Sequence, residues 1–171
     1  MCTAGIHPAS LATDQLLRQC DVQRTRRGGP GGQHRNKVET AVRIVHRPTE
    51  ITSEASERRS QQQNHTVAIF RLRRSLAVKV RRPLTPPCSP SALWRGRVAG
   101  GKIKVNPTHD DFPSVLAEAL DVLDAHHMEP REAAQDLNCT ASGLIRLIKL
   151  EPIALARLNE RRQAAGLHPL K

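Results

Sequence analysis

The sequence predicts an α+β fold: a small domain with a short, mainly antiparallel sheet and one long amphipathic helix, followed by an all-helical, helix-turn-helix-like module. The first observation is a set of short, alternating runs of β-branched residues separated by turn residues in the first third of the chain. The second is an apolar period of 3.6 residues in the middle of the chain and again from residue 110 onward. A cluster of prolines between these regions indicates a stiff linker. We therefore expect a domain over 1–82, a Pro-rich and basic linker over 83–106, and a helical module over 107–171.

The elements of the first domain follow from local patterns. Pro48 indicates a turn over 47–50, between two runs that are predicted to be strands. Apolar side chains then recur at every fourth position from Ala68 to Val80, which is typical of one long helix, and Pro83 ends it. In chain order, we expect a short helix over 10–19, strands over 20–24, 41–46 and 51–55, one helical turn over 36–40, and the long helix over 60–82.

The last third of the chain predicts four helices. Either Asp110 or Asp111 can cap the first helix, which has Pro113 in its first turn. We expect the second helix over 130–137, the third from an N-cap at Thr140 to about residue 150, and the fourth from Pro152 to a C-cap at Gly166.

The second and third of these helices resemble a helix-turn-helix. Ala134 stands at the close-packing position and Asn138 in the turn, where its tolerance of left-handed backbone replaces the usual Gly. Leu144 and Leu147 follow as core contacts. The pattern fits either the core of a helical bundle or a nucleic-acid-reading motif. The exposed candidates of such a motif are Thr140, Ala141, Ser142, Arg146 and Lys149.

The charge of the chain indicates a nucleic-acid partner. Its 27 Lys and Arg against 16 Asp and Glu give a net charge of +11. Sixteen basic and five acidic side chains lie within 18–82, so the whole excess arises there. Residues 110–136 hold eight acids and one Arg, which makes them a poor candidate for RNA contact. Aromatic residues are only 2% of the chain, which argues against modules that stack splayed bases.

Cysteine, histidine and hydropathy patterns limit the other classes of function. The four cysteines lie far apart without a CxxC spacing, so we expect reduced thiols and neither a zinc site nor a disulfide framework. His126 and His127 have no carboxylate or Cys at ligand spacing along the sequence, and we expect no metal and no cofactor. Since no window is apolar enough for a membrane span or a signal peptide, we expect a cytoplasmic protein without a membrane partner.

The most informative segment is the glycine-rich run over 26–38. Four glycines and a proline over 28–32 precede the neutral Gln33, and cations flank the run on both sides. Glycines permit positive φ and leave no Cβ, so such a tip can enter a crowded, polyanionic place. An amide does not titrate near neutral pH, so Gln33 cannot act as a general base.

Three separated blocks carry a family resemblance. They are Gly31-Gly32-Gln33-His34-Arg35-Asn36-Lys37, then Ala41-Val42-Arg43-Ile44-x-His46-x-Pro48-Thr49, and then Glu57-x-Arg59-Ser60-Gln61-x-x-Asn64. Over about residues 20 to 76 and without a gap, the chain resembles the catalytic domain of class I peptide chain release factors and of their small ribosome-rescue relatives.

This resemblance implies a peptidyl-tRNA hydrolase that works in the peptidyl transferase centre, with Gly31, Gly32 and Gln33 as its catalytic tip. The roles it suggests for Gln33 are a main-chain N–H donor to the developing oxyanion and a side chain that orients or admits water. The proton chemistry is then left to RNA. The implied partners are large-subunit rRNA, P-site peptidyl-tRNA and a methyltransferase acting on Gln33. The residues expected to bind RNA are Arg24, Arg26, Arg27, Arg35, Asn36, Lys37, Arg43, Arg59, Ser60, Gln61, Asn64, Arg71 and Arg74.

Two functions are compatible with this sequence. Only 19 residues precede the catalytic block, so we expect codon-independent release, as in ribosome rescue. The alternative is a non-hydrolytic RNA- or DNA-binding regulator that uses the helix-turn-helix. The intact Gly31-Gly32-Gln33 argues against this alternative, because RNA affinity alone does not require such a tip.

Overall fold

The computed structural model describes residues 5–25 and 40–171, and all structural statements refer to these ranges. They form two compact units, one over Pro8–Leu76 and the other over Ala77–Lys171 together with the residues up to His7. The predicted α+β class is confirmed. Within the described ranges, every helix is too short or too polar to cross a membrane.

The first unit is a three-stranded antiparallel sheet with helices. The sheet has the order β1-β2-β3, and its register runs from Cys20 opposite His46 to Thr25 opposite Ala41 in the first pair. The predicted helix over 10–19 is a 3-10 turn followed by a short α-helix, and the helical turn expected over 36–40 lies almost wholly outside the described residues. The elements are the 3-10 turn Pro8–Ser10, α1 (Thr13–Arg18), β1 (Cys20–Thr25), β2 (Ala41–His46), β3 (Ile51–Ala55) and most of α2 (Gln61–Lys79).

The side chains of β3 alternate between buried and exposed positions. Ile51, Ser53 and Ala55 are buried while the residues between them are exposed. The buried Ser53 hydroxyl donates to the backbone carbonyl oxygen of Ala68 in α2 over 2.8 Å, so this buried polar group is satisfied. Ala68, Leu72 and Leu76 in α2 are fully buried, which confirms the predicted apolar stripe at these positions. The helix ends at Lys79, earlier than predicted, so Val80 lies beyond it and is half-buried.

A polar network closes the end of the sheet where β1 begins and β2 ends. The buried ring of His46 bonds through Nδ1 to Thr49 Oγ1 at 2.8 Å and through Nε2 to Gln19 Oε1 at 3.0 Å. Arg47 donates to the carbonyl oxygen of Cys20 at 3.0 Å and to the carboxylate of Asp21 at 2.7 Å. The turn after β2 is thereby joined to the start of β1.

The second unit contains more structure than its sequence predicts. Residues 83–106, expected as a linker, include a helix and a short hairpin, and Trp94 in that helix is fully buried with its indole N–H bonded to the Leu137 carbonyl oxygen at 2.8 Å. The division of the chain at residues 82 and 106 remains a prediction. The elements are α3 (Ala92–Arg97), β4 (Val98–Ala99), β5 (Lys102–Ile103), α4 (Phe112–Ala125), α5 (Pro130–Asp136), α6 (Ala141–Lys149) and α7 (Pro152–Ala164).

Helix α4 is the core helix of the second unit, since ten of its fourteen residues are buried. One of them is Asp121, whose carboxylate is completely buried. It accepts from the Arg81 guanidinium at 3.0 Å, from the Arg82 main-chain N–H at 3.1 Å and from Arg82 Nε at 2.8 Å. A buried charge is tolerated only when it is paired and hydrogen-bonded, and both conditions are met here.

The start of α4 differs from the prediction in one respect. Asp111 is its N-cap residue, but its side chain makes no capping bond. The carboxylate instead accepts from Arg97 Nε at 2.9 Å, because an ion pair with a guanidinium is available there. Pro113 in the first turn is as expected.

The helix-turn-helix pattern between α5 and α6 is confirmed. Asn138 adopts φ 51°, the left-handed conformation that the turn requires. The Cys139 N–H then bonds to the Ala134 carbonyl oxygen at 3.0 Å, and Ala134 is buried as the close-packing position demands. The Thr140 hydroxyl accepts from the Gly143 N–H at 3.0 Å and caps α6. Gly166 adopts φ 74° just after the end of α7, where the sequence predicts the helix to end.

Replacing Asp121 should destabilise the second unit strongly. In the Asp121→Asn variant two guanidinium groups lose their carboxylate, which should lower the free energy of unfolding by about 3 kcal/mol. Urea unfolding followed by circular dichroism measures this. The control is Asp110→Asn, an exposed acid of the same stretch, for which we expect almost no change. Equal stability of the two variants would contradict the role assigned to Asp121.

Acid should weaken the first unit through His46. Burial and the nearby Arg47 charge lower the pKa of His46 below 6.5, so the folded protein holds the ring neutral while the unfolded chain takes up a proton near 6.5. This contribution to stability is complete above pH 6.5 and is lost as the pH falls below it. Urea midpoints between pH 5 and 7.5 should vary less in His46→Gln than in the exposed control His127→Gln. Some variation should persist, because burial also lowers the pKa of His7.

Candidate nucleic-acid interface

The glycine-rich segment begins and ends on neighbouring strands. The β1–β2 ladder continues to its last pair, Thr25 opposite Ala41. Both ends of the intervening segment are therefore fixed at this end of the sheet, which we call the loop edge. The catalytic tip expected at Gly31, Gly32 and Gln33 lies outside the described residues. So do five of the expected RNA-binding residues, which are Arg26, Arg27, Arg35, Asn36 and Lys37.

Asn64, in the first turn of α2, stabilises the loop edge through hydrogen bonds. It is fully buried, and its amide nitrogen donates to the carbonyl oxygens of Thr40 at 2.7 Å and Arg58 at 2.9 Å. Its Oδ1 accepts from the Arg58 N–H at 2.9 Å. One side chain therefore joins α2, the turn before it and the residue that leads into β2.

The outer face of the sheet has a row of polar side chains across its three strands. Gln23, Arg43 and Glu54 lie opposite one another in the register and are all exposed. Arg43 Nε is 3.6 Å from Glu54 Oε1, so the cation is paired across the strands. Arg24, the next residue of β1, is also exposed.

Arg71 extends this row from α2. Its guanidinium donates to the Glu54 carbonyl oxygen at 2.7 Å and lies 2.6 Å from Glu57 Oε1. The hydrogen bond from Arg71 lowers the pKa of Glu57. The described fold thus brings Arg43 and Arg71 together through two acidic residues.

The remaining expected contacts lie just before α2 and along it. Arg59 and Ser60 are exposed, and the Ser60 hydroxyl accepts from the Gln63 N–H at 3.4 Å, near the helix start. Gln61 and Arg74 are half-buried. Gln61 and Arg74 lie in α2, whereas Arg59 and Ser60 immediately precede its first residue.

Glu54 and Glu57 have a part in this surface that sequence reasoning missed. The Glu54 carboxylate pairs with Arg43, which lies directly opposite it, and the Glu57 carboxylate pairs with Arg71. The signal was available, since two runs that pair with an alternating register place residues 43 and 54 on the same face. Their effect is to fix the arginines in place and to reduce the net positive charge of the row.

A cluster of Cys88, His126 and Asp136 corrects the argument made for the histidines. One potential ligand atom from each residue lies within 4.8 Å of the others, so a carboxylate and a Cys do stand beside His126 in space. His126 Nε2 is 2.7 Å from Asp136 Oδ2, which also accepts from the Cys88 N–H at 2.6 Å. These bonds lower the pKa of Asp136. The cluster thus has a hydrogen-bonded structure of its own, which ties residue 88 to α5.

The described cysteines are free thiols. Burial raises the pKa of Cys20, and it raises the pKa of Cys139 to about 11. Thiols with raised pKa values are poor nucleophiles near neutral pH. Cys20 and Cys139 therefore add no reactive group to the candidate site.

Comparison with known proteins identifies the first unit. Residues 16–86 match the family model of the RF-1 domain. This part of the chain belongs to the Gly-Gly-Gln domain family of class I peptide chain release factors. The match contains β1, β2, β3 and α2, the elements that hold the three sequence blocks together.

Several curated relatives are peptide chain release factors. The chloroplastic peptide chain release factor PrfB1 of Arabidopsis thaliana is 53% identical over 58 residues, which is 34% of this chain and 13% of that protein. Peptide chain release factor 1 of Delftia acidovorans is 35% identical over 103 residues, or 58% of this chain and 28% of that protein. The same factor of Caldicellulosiruptor bescii is 48% identical over 76 residues, or 43% and 21%. The chain thus spans less than a third of the length of these relatives.

Removing the Asn64 amide should loosen the loop edge. Asn64→Ala leaves the part-buried carbonyl oxygens of Thr40 and Arg58 without this donor, and should cost about 2 kcal/mol of unfolding free energy. Hydrogen exchange of the amides at the Thr25–Ala41 end of the ladder should accelerate more than exchange at the Cys20–His46 end. Gln62→Ala, an exposed amide two residues away, is the matched control. Uniform acceleration along the ladder would show a general loss of stability instead.

Proposed function

We propose that this protein hydrolyses the ester of peptidyl-tRNA in the peptidyl transferase centre of the ribosome, independently of the codon, as a cytoplasmic ribosome-rescue factor. The observation that carries the proposal is the intact Gly31-Gly32-Gln33 within a segment that belongs to the release-factor domain family. Family membership supports a release-factor-like role in translation. The reaction, the ribosomal target and the cellular location are the proposed parts.

Gln33 is the proposed catalytic residue. Its main-chain N–H is suited to donate to the oxyanion that forms when water attacks the ester carbonyl, and its side-chain amide is suited to orient that water. Because an amide neither gains nor loses a proton near neutral pH, the proton must pass to another group. We assign that transfer to RNA, with Gly31 and Gly32 allowing the backbone to come close to it.

The cations of the first unit are the proposed rRNA contacts. Exposed guanidinium groups at Arg24, Arg43, Arg59 and Arg71 are suited to bind backbone phosphates bidentately. The same role is proposed for Arg74 and for the charged residues of the glycine-rich segment. Asn64 is assigned differently: the fold uses its buried amide internally, so we propose that it positions the loop edge and does not contact RNA.

The helical part of the chain is proposed to direct the first domain to its ribosomes. In this scheme residues 1–82 are the catalytic domain, 83–106 the connecting segment and 107–171 the module that positions it. The helix-turn-helix of α5 and α6 provides a formed recognition element with exposed Arg146 and Lys149. A glutamine methyltransferase acting on Gln33 is the proposed additional partner.

The decisive variant is Gln33→Ala. It removes the side-chain amide but keeps the main-chain N–H, and we expect peptide release from stalled ribosomes to fall at least about a hundredfold. Co-sedimentation with ribosomes should remain nearly unchanged, since the cations are intact. Gln62→Ala, an exposed amide on α2, should release peptide at the wild-type rate. Wild-type release by Gln33→Ala would refute the catalytic assignment.

Codon independence is tested separately. Ribosomes carrying a truncated mRNA, a stop codon or a sense codon in the decoding centre provide three substrates for one release assay. We expect release on the truncated mRNA without any requirement for a stop codon. Release confined to stop codons would replace rescue with termination. A protein that bound nucleic acid but released no peptide from any of the three would instead be a regulator.

A further inference from the structure

A cavity of about 240 Å³ lies within the second unit. It opens between the end of α2, the last turn of α4, the residue Met128 and one face of α7. All of its lining residues belong to residues 77–171. Nothing assigned to the release reaction uses it.

The cavity has an aliphatic floor. Leu120 and Leu158 line it with 7% and 5% of their surfaces exposed, and the small Ala154 leaves room between them. Met128 adds a polarisable side chain that adapts its shape to a flat group. The side chains of this floor offer no hydrogen-bond donor, so it favours a flat, apolar moiety without selecting a particular one.

The remaining lining residues are Val78 and five charged side chains, most of which are basic. Four cations, Lys79, Arg81, Arg157 and Arg161, accompany the single acid Asp124. Low-dielectric walls concentrate the field of such cations in a concave space, which attracts an anion and repels a metal ion.

The ion pairs of these residues leave two cations available. Arg81 bonds to the buried Asp121, and Arg161 bonds to Asp124, so both guanidinium groups are fixed in place. Lys79 and Arg157, by contrast, have no hydrogen-bond or ion-pair partner within the described residues. An arrangement of two fixed and two unneutralised cations is suited to one dianionic group.

We propose that this cavity binds a nucleotide, with its phosphate group on Lys79 and Arg157 and its base against the floor formed by Leu120, Met128 and Leu158. The nucleotide is either free or part of an RNA strand, since both present the same phosphate and flat base. An inorganic phosphate would use only the cations, so we expect it to bind more weakly than AMP. This inference is independent of Gln33 and needs no ribosome for its test.

The experiment uses the full chain and two ligands. Calorimetry measures AMP binding, and fluorescence anisotropy measures binding of a ten-nucleotide RNA without terminal phosphates. Lys79→Gln/Arg157→Gln should weaken AMP binding at least about tenfold, because hydrogen bonds between charged groups are lost. Lys102→Gln/Arg131→Gln, which removes the same charge from exposed positions outside the cavity, should bind AMP like the wild type.

The two arms distinguish the sources of the nucleotide. AMP binding that RNA does not displace identifies a free nucleotide, and displacement by RNA identifies a site that accepts a strand. If AMP does not bind, the RNA arm still tests the proposal. A larger loss of RNA affinity in the cavity variant than in the control variant would support a site that accepts a nucleotide within an RNA strand. The proposal is overturned if the two variants behave alike in both arms, or if a tetraglutamate peptide displaces AMP as well as RNA does.

All four substituted positions are on the surface, so the fold should survive the changes, and circular dichroism verifies it. Should the double variant be unstable, Arg157→Gln alone provides the same comparison against Arg131→Gln. Inorganic phosphate that bound as tightly as AMP would exclude the contribution of the aliphatic floor and contradict the proposal in its stated form.

Discussion

The second unit depends on one buried carboxylate. Asp121 lies on α4 with none of its surface exposed, and Arg81 and Arg82 converge on its carboxylate from the same segment. Since α4 is the helix around which the unit packs, the chain that follows α2 has a fixed position against that helix. The rest of this unit, including the cavity beside Arg81, is arranged around that attachment.

Several acids of the stretch over 110–136 form ion pairs within the second unit. The composition of this stretch argues against RNA contact, and the structure shows what its carboxylates do instead. Asp111 binds Arg97, Asp121 binds two arginines, and Asp124 binds Arg161. The Asp121 carboxylate is buried and fixes α4 to the segment after α2, whereas the half-exposed pairs of Asp111 and Asp124 contribute little stability of their own.

Local patterns predicted most of the architecture. The Asn at 138 and the cap at Thr140 were readable because backbone sterics and orphan N–H groups depend only on nearby sequence. The helix around Trp94 was not readable, since its stability comes from packing and from a bond to Leu137, forty-three residues away. The cluster at His126 was missed for the same reason: its partners come from distant parts of the chain.

The candidate site was predictable to a similar degree. A motif identified Gln33, but it could not show that Asn64 acts inside the fold, because burial depends on how α2 meets the loop edge. Likewise, a count of basic residues could not show which ones already have partners. Arg43, Arg47 and Arg71 each face a carboxylate in the first unit.

These ion pairs have a consequence for the thermodynamics of RNA binding. A free arginine that reaches a phosphate displaces about one condensed counterion from the RNA, which gives the salt dependence of affinity its slope. An arginine that already faces Glu54 or Glu57 brings that negative charge close to the phosphate as well, and so displaces less. The number of ions released on binding should therefore be well below the formal excess of +11 charges. The acidic partners would then weaken non-specific electrostatic binding to RNA, so that shape complementarity contributes more to the choice of binding site.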